Sequence, residues 1–115
     1  MDLRRLFGNT AEDLAAQYLR AKGYAILKRQ YRTKFGEIDL VARLGDEIVF
    51  VEVKARKGTG FGHPEESVTE TKLEKISAAG HQYLSKYPAE SFRIDVISIT
   101  YKNDVPQIVH FEGVG

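Results

Sequence analysis

The sequence predicts an α/β domain whose elements follow the order α-β-β-β-α-β-β. Apolar residues recur at helical spacing in two stretches, one after residue 10 and one after residue 71. Alternating or β-branched runs, separated by Gly-Asp or Asn-Asp turns, indicate strands. The 115 residues are 43% hydrophobic and 29% charged, which is typical of a soluble globular protein. This length predicts a single domain over residues 1–115.

The first helix is expected to begin at Asn9 or Thr10, because either residue can cap a helix and Thr10-x-x-Asp13 resembles a capping box. Gly23 is expected to end this helix. The remaining predicted elements are a strand over 24–32, a turn over 33–36, a hairpin over 36–54, a helix from a Thr71–Glu74 capping box to about Lys86, and strands over 92–101 and 107–112.

The hairpin GEIDLVARLGDEIVFVEVK (36–54) carries charged residues in a strongly apolar setting. If Gly45-Asp46 is a two-residue loop, the numbers of opposed residues sum to 91. Asp39 then faces Glu52 and Glu37 faces Lys54, on the same side as Val41 and Phe50. The other side is apolar at its inner positions and is expected to face a core; it pairs Leu44, Ala42, Leu40 and Ile38 with Glu47, Val49, Val51 and Val53.

Two carboxylates opposed across a strand pair lie roughly 4.5–5.5 Å apart at Cβ and repel each other. A hard cation such as Mg²⁺ makes that arrangement tolerable, and Mn²⁺ accepts similar ligands. Asp39 and Glu52 are therefore candidate metal ligands, the Val53 carbonyl is another, and Lys54 is placed to act on water or phosphate. Two alternatives need no metal: Glu37–Lys54 is an ordinary ion pair, or Lys54 neutralises both acids.

Glu12 lies at the margin of the apolar stripe of the first helix. If that helix covers Val41 and Phe50, Glu12 can reach the same metal. The alternative is an exposed acid at a helix N-terminus, favoured by the helix dipole.

The charge distribution is uneven, although the net charge is only +1. Residues 1–34 carry +5 and residues 35–115 carry −4. A basic segment beside an acid-lined hairpin suits a phosphodiester substrate, although a solvated basic helix and strand would show the same charges. The candidate nucleic-acid-binding residues are Lys28, Arg29, Arg32, Lys34, Arg56 and Lys57.

Several classes of site are excluded or disfavoured. The chain has no cysteine, so it has neither disulfides nor thiolate metal ligands. His63, His81 and His110 lack zinc-site spacing and are expected to be structural or exposed. No apolar run approaches a membrane span, and a cytoplasmic location is expected. The glycines of 58–62 are interpreted as a loop that orders on nucleic acid, or as a flexible connector.

The Asp39…Glu52-Val53-Lys54 pattern on a hairpin resembles the core of PD-(D/E)xK nucleases. The wider set of motifs is similar to the bacterial UPF0102 family, over nearly the whole chain. These motifs are GEIDL (36–40), VFVEVK (49–54), FGHPEE (61–66) and FRIDV (92–96), with Glu12, Gly23, Arg32 and Lys72 at matching positions.

The resemblance implies the restriction-endonuclease-like αβββαβ core, with a mixed sheet flanked by helices. It also implies kinship with archaeal Holliday-junction resolvases, which are Mg²⁺-dependent dimers, and hence a role in DNA repair or recombination. Carried over, Asp39 and Glu52 are metal ligands, Lys54 is the catalytic lysine and Glu12 is a helix-borne acid. Glu37 belongs to the GEIDL motif and is included among the catalytic candidates.

The predicted function is a Mg²⁺-dependent endonuclease (a hydrolase) acting on DNA, with branched DNA as the candidate substrate and a homodimer as the candidate assembly. The alternative is a non-catalytic module on the same fold that binds nucleic acid or docks a partner.

Overall fold

Two helices and five strands form the protein in the computed structural model, which describes residues 3–57 and 68–115, with side chains from residue 10 onward. The loop predicted over 58–62 and His63 lie outside the described residues. The elements are α1 (Leu3–Ala21), β1 (Ala25–Thr33), β2 (Gly36–Leu44), β3 (Glu47–Lys57), α2 (Glu70–Lys86), β4 (Ser91–Lys102) and β5 (Val105–Phe111).

The five strands form one mixed sheet in the order β1-β2-β3-β4-β5. Only β3 and β4 run parallel, and α2 lies between them in the chain, as a parallel connection requires. The other three pairings are antiparallel. The predicted α/β class and the αβββαβ order are therefore confirmed, with β5 added at the edge.

Each helix covers one face of the sheet. On the α1 face, Ala15 and Leu19 pack with sheet residues that include Leu40 and Val51. On the α2 face, the buried residues are Ile76, Ala79 and Tyr83 of the helix with Ile38, Val41, Ile48 and Phe50 of the sheet. Val41 and Phe50 are thus covered by α2, so the expectation that the helix bearing Glu12 covers them is wrong.

Both helix starts differ from the predicted ones. The backbone is already helical at Leu3, so neither Asn9 nor Thr10 is the cap of α1. Gly8 and Asn9 are weak helix formers, but propensity is readily overridden by context. In α2 the cap is Thr69 rather than Thr71, because the Thr69 side chain accepts a hydrogen bond from the Lys72 N–H.

The helix ends and the tight turns agree with the sequence. Gly23 has φ +95° just after α1, and its N–H donates to the Arg20 carbonyl at 3.0 Å. Gly45, at φ +61°, begins the two-residue loop in which Leu44 pairs with Glu47. This confirms the predicted hairpin register from Leu44↔Glu47 to Leu40↔Val51. No helix within 3–57 and 68–115 is long and apolar enough to cross a membrane.

Candidate metal and nucleic-acid site

The pairing of β2 with β3 ends at Leu40↔Val51, and beyond this point the two strands part. β2 continues beside β1, with Ile38 opposite Tyr31, and β3 continues beside β4. We call this parting of β2 and β3, between Asp39 and Val53, the fork. The predicted pairs Asp39–Glu52 and Glu37–Lys54 are therefore not part of the strand register, which corrects the sequence-based prediction.

The Asp39 side chain bridges the fork. Its Oδ2 accepts a hydrogen bond of 2.8 Å from the backbone N–H of Val53. The alternation of side chains breaks at the same place, because Ile38 packs on the α2 face while Leu40 packs on the α1 face. Ile38 was expected on the face of Leu40, and that expectation is wrong. Gln30 of β1 has φ +50°, so the neighbouring strand is distorted as well.

Asp39 is held in an environment that disfavours its charge. Burial, followed by repulsion from Glu52, raises the pKa of Asp39 from an ordinary 3.8 to about 7. The hydrogen bond from Val53 acts in the opposite direction, and the charges of Glu12 and Glu37 add to the rise in pKa. Three further acids therefore act on Asp39, as an acid cluster built to hold a cation would require.

Glu52 is buried on the α2 side of the fork, with a side chain that is 5% exposed. Its Oε1 lies 3.4 Å from Lys54 Nζ and 3.5 Å from Lys72 Nζ. Lys54 is thus the neighbour of Glu52 that the motif predicted, and Lys72 is a second cation contributed by α2. Both ammonium groups lie against Glu52, and no ion pair to Asp39 is formed within the described residues.

Glu12 approaches the fork from the opposite face of the sheet, on α1. It is 9% exposed, so the alternative of an exposed N-terminal acid is wrong. Gln30 Nε2 donates to Glu12 Oε2 at 2.9 Å, and Arg29 Nε lies 3.8 Å from Oε1. Within the described part of the chain, the buried Oε1 has no hydrogen-bond partner. A buried carboxylate oxygen left in this state has an unused ligand position.

Glu37 lies at the rim, where it forms an exposed ion pair with Arg32 at 3.1 Å. Its expected pairing with Lys54 is replaced by this one, because Arg32 is opposite Glu37 in the β1–β2 register. The charge of Glu37 still acts on Asp39.

The donor chemistry of these residues suits a hard divalent cation, although among the described residues the acids of the fork do not bring three ligand atoms within 4.8 Å of one another, as Asp95, His110 and Glu112 do. Asp39 and Glu52 offer carboxylate oxygens, Val53 is in direct contact with Asp39, and the Glu12 Oε1 is unpartnered. Oxygen ligands of this kind are those that Mg²⁺ and Mn²⁺ take in proteins. A bound cation would offset the electrostatic repulsion among these carboxylates.

The predicted nucleic-acid-binding residues lie on two stretches of the sheet. Arg29 is engaged with Asp13 at 2.7 Å as well as with Glu12, and Lys28 Nζ stands over the Tyr87 ring at 5.7 Å. Lys34 Nζ stands over the Phe35 ring. Of the candidate residues, four lie on β1 and in the turn after it, namely Lys28, Arg29, Arg32 and Lys34. The other two, Arg56 and Lys57, lie at the end of β3.

A second polar cluster lies elsewhere, around Asp95. Among the described residues, Asp95, His110 and Glu112 are close enough together to share an ion. Arg93 contacts this cluster, with Nε 2.9 Å and Nη2 3.2 Å from the fully buried Asp95. Hydrogen bonding to Asp95 raises the pKa of Arg93. The cluster is a structural ion pair, and His110 belongs to it through a 2.7 Å contact with Asp95.

The sequence was also compared with known proteins. A family model described as "Uncharacterised protein family UPF0102" matches residues 11–99. The chain belongs to this family. The matched segment contains every residue proposed for the fork, together with β1 and the whole of α2. The UPF0102 resemblance predicted from the motifs is therefore confirmed.

Several relatives carry the name "UPF0102 protein" and match this chain over most of their length. The relative from Syntrophomonas wolfei is 46% identical over 110 residues, which are 94% of this chain and 96% of that protein. The relative from Thermotoga neapolitana is 47% identical over 105 residues, 90% and 92% of the two chains. The relative from Clostridium kluyveri is 45% identical over 88% and 86%.

Two residues of this UPF0102 site escaped sequence reasoning. Gln30 was not assigned a role, yet it hydrogen bonds to Glu12 across the α1 face. Lys72 matched the family pattern but was given no function. Its position four residues before the buried Ile76 is the signal that places it on the inward face of α2.

Proposed function

We propose that this UPF0102 protein is a metal-dependent endonuclease that hydrolyses phosphodiester bonds in DNA, with branched DNA as its preferred substrate. The observation that carries the proposal is the geometry of the fork, where Asp39 accepts the 2.8 Å hydrogen bond from Val53 and the buried Glu52 lies 3.4 Å from Lys54. Burial and the charge of Glu52 raise the pKa of Asp39 to about 7, in keeping with this arrangement. Perturbed carboxylates are typical of functional sites. The likeness of the hairpin motif to PD-(D/E)xK nucleases supports the same reading.

The acidic residues of the fork have distinct proposed roles in metal binding. Asp39 and Glu52 would hold Mg²⁺ or Mn²⁺, with Glu12 and the Val53 carbonyl as further ligands. When bound, such an ion supplies Lewis-acid stabilisation of the phosphate and makes the attacking water more acidic. Glu37 adds negative charge at the rim of the same site.

Lys54 is the proposed catalytic cation. Its ammonium lies 3.4 Å from Glu52 Oε1 and is one-third exposed, so it is fixed at one side and open at the other. It would donate a hydrogen bond to the water or to a non-bridging phosphate oxygen, where negative charge grows during attack. Without the Lys54 ammonium, the negative charge that grows on the phosphate would develop next to the carboxylates of the fork.

The DNA backbone would be held by the basic residues on β1 and at the end of β3. These contacts release counterions, so we expect the affinity to fall steeply with salt. Cutting two strands of a branched substrate would call for a second copy of the chain, and a homodimer acting in the cytoplasm is part of the proposal.

The test is cleavage of four-way-junction, flap, single-stranded and plain duplex DNA with Mg²⁺ or Mn²⁺. Asp39→Asn and a chelator serve as controls. We expect metal-dependent cleavage that both controls abolish, with the junction cut fastest. Equal cleavage by wild type and Asp39→Asn would reveal a contaminating nuclease and would contradict the proposal.

One observation favours the alternative of a non-catalytic nucleic-acid-binding module. Glu52 is already neutralised by Lys54 and Lys72, so the basic residues can hold DNA while the acids remain structural. Salt-sensitive DNA binding with no cleavage of any of the four substrates would select this function.

A further inference from the structure

We propose that Lys72 is a phosphate-binding residue of the fork, which exchanges Glu52 for a backbone phosphate of the bound nucleic acid. The inference rests on the proposed function for its substrate class. Lys72 Nζ lies 3.5 Å from Glu52 Oε1, and the Lys72 side chain is 41% exposed. The same ammonium therefore contacts a site carboxylate and solvent.

Glu52 has two lysine ammonium groups as neighbours. One carboxylate, 5% exposed, is shared by the ammonium groups of Lys54 and Lys72. A lysine ammonium has three donors and binds phosphate as a point charge. Of the two lysines, Lys72 is the more exposed, at 41% against 33%, so it is the more accessible to a phosphate approaching from solvent.

The direction of Lys72 is fixed by the first turn of α2. Thr69 caps this helix through the Lys72 N–H at 3.2 Å, and Ile76, one turn later, is 1% exposed. Residues four apart lie on the same face of a helix, so the anchoring of Ile76 aims Lys72 at the sheet. Lys75, in contrast, is exposed. Lys75 therefore serves as the matched control, because it carries the same charge on the same helix but points to solvent.

The experiment is a double-mutant cycle on DNA affinity, measured by fluorescence anisotropy with a labelled four-way junction in EDTA, where cleavage cannot interfere. The variants are Lys72→Ala and Lys75→Ala, each in the wild-type and Glu52→Gln backgrounds, with Lys72→Arg as the conservative change. Circular dichroism establishes that each variant is folded. The salt dependence of binding is measured for every protein.

We expect Lys72→Ala to lower the slope of log affinity against log salt by about one, and Lys72→Arg to restore it. The loss of affinity should be several-fold larger in the Glu52→Gln background, because Lys72 then has no competing carboxylate. Lys75→Ala should have the same small effect in both backgrounds. These results would support the proposal whether or not the protein cleaves DNA.

Other outcomes overturn it. Equal effects of Lys72→Ala and Lys75→Ala would mean that only net charge matters. If Lys72→Ala lowers DNA affinity equally in the wild-type and Glu52→Gln backgrounds, Lys72 does not exchange Glu52 for phosphate. If the wild type cleaves DNA but Lys72 behaves like Lys75, this inference fails and the nuclease proposal stands. A wild type that binds no DNA in EDTA would overturn this inference, whereas the nuclease proposal is decided by cleavage in Mg²⁺ or Mn²⁺.

Discussion

The Asp39 carboxylate accepts a 2.8 Å hydrogen bond from the backbone N–H of Val53, across the point where β2 and β3 part. A side-chain oxygen thus takes the place that a strand carbonyl would have in a continuous antiparallel pair. The contact ties the two strands together while leaving the carboxylate next to Glu52. Charge repulsion and strand separation are therefore located at the same residue.

Asp39→Asn should stabilise the protein at alkaline pH. The pKa of Asp39 is about 7 in the folded chain against an ordinary 3.8, so the folded state binds the proton more tightly. The contribution of Asp39 to stability is then largest below pH 4, falls as pH rises toward 7 and is constant above it. We expect a gain of ~1–3 kcal/mol at pH 8 and a smaller gain at pH 5.

Urea unfolding at the two pH values measures this difference, with Asp46→Asn in the exposed turn as the control. Added Mg²⁺ or Mn²⁺ should raise the melting temperature of the wild type at pH 8 and leave Asp39→Asn unchanged. A destabilised Asp39→Asn protein at pH 8 would show that the carboxylate holds the fold together instead.

Lys54→Ala should abolish cleavage while changing stability little. Lys72 Nζ lies 3.5 Å from Glu52 Oε1, so the buried carboxylate still has a neighbouring cation when Lys54 is removed. We expect a loss of roughly 10²-fold or more in cleavage rate and less than about 1 kcal/mol in the free energy of unfolding. Single-turnover kinetics and urea unfolding give the two quantities.

The exposed Lys102, at the end of β4, provides the control as Lys102→Ala. If Lys54→Ala instead destabilises the fold strongly, Lys54 serves mainly to neutralise the acids, as in the structural alternative.

Arg93→Ala should cost roughly 3 kcal/mol of stability, because it strips two hydrogen bonds from the fully buried Asp95. Arg32→Ala removes an ion pair whose arginine is 78% exposed, and should cost less than about 1 kcal/mol. Urea unfolding of both variants tests the comparison. Equal losses in the free energy of unfolding would mean that the burial of Asp95 does not strengthen its ion pair with Arg93.

Gly80→Ala should destabilise the protein even though alanine favours helices by about 1 kcal/mol. A Cβ at residue 80 would lie 2.6 Å from Phe50 Cε2. The Phe50 ring is fully buried, with Tyr83 and Phe92 against it, so it cannot easily move away.

Overpacking of this kind costs ~1–3 kcal/mol, so we expect a net loss in thermal unfolding. The exposed Glu74→Ala on the same helix should be close to neutral. A Gly80→Ala protein as stable as wild type would show that the Phe50 ring shifts freely.

The sequence predicted the fold well because its signals are local. Gly45-Asp46 set the hairpin register, and Gly23 marked the end of α1. The caps were missed because Thr69 and Thr71 are equally good candidates until the backbone selects one. The fork was missed for a different reason: beyond Val51, β2 stays paired only with β1 and β3 only with β4, and neither neighbour is visible in the hairpin sequence.

The same limit applies to the candidate site. Asp39, Glu52 and Lys54 were predicted from spacing, and the structure brings them to the fork, with Lys54 beside Glu52. The contact between Glu12 and Gln30 joins α1 to β1, and that between Lys72 and Glu52 joins α2 to β3. Such contacts depend on how the helices dock, which no single segment of the sequence encodes.

The single parallel pairing in the sheet has a consequence for the order of folding. β1, β2 and β3 are joined by short turns, whereas β4 meets β3 only after the chain closes a loop from residue 58 to residue 90. Such distant contacts form slowly. Before α2 and β4 dock, Asp39 and Glu52 are solvated, and water and salt screen their repulsion. Their mutual repulsion therefore develops late, when α2 and β4 bury them, and relieving it should slow unfolding more than it speeds folding.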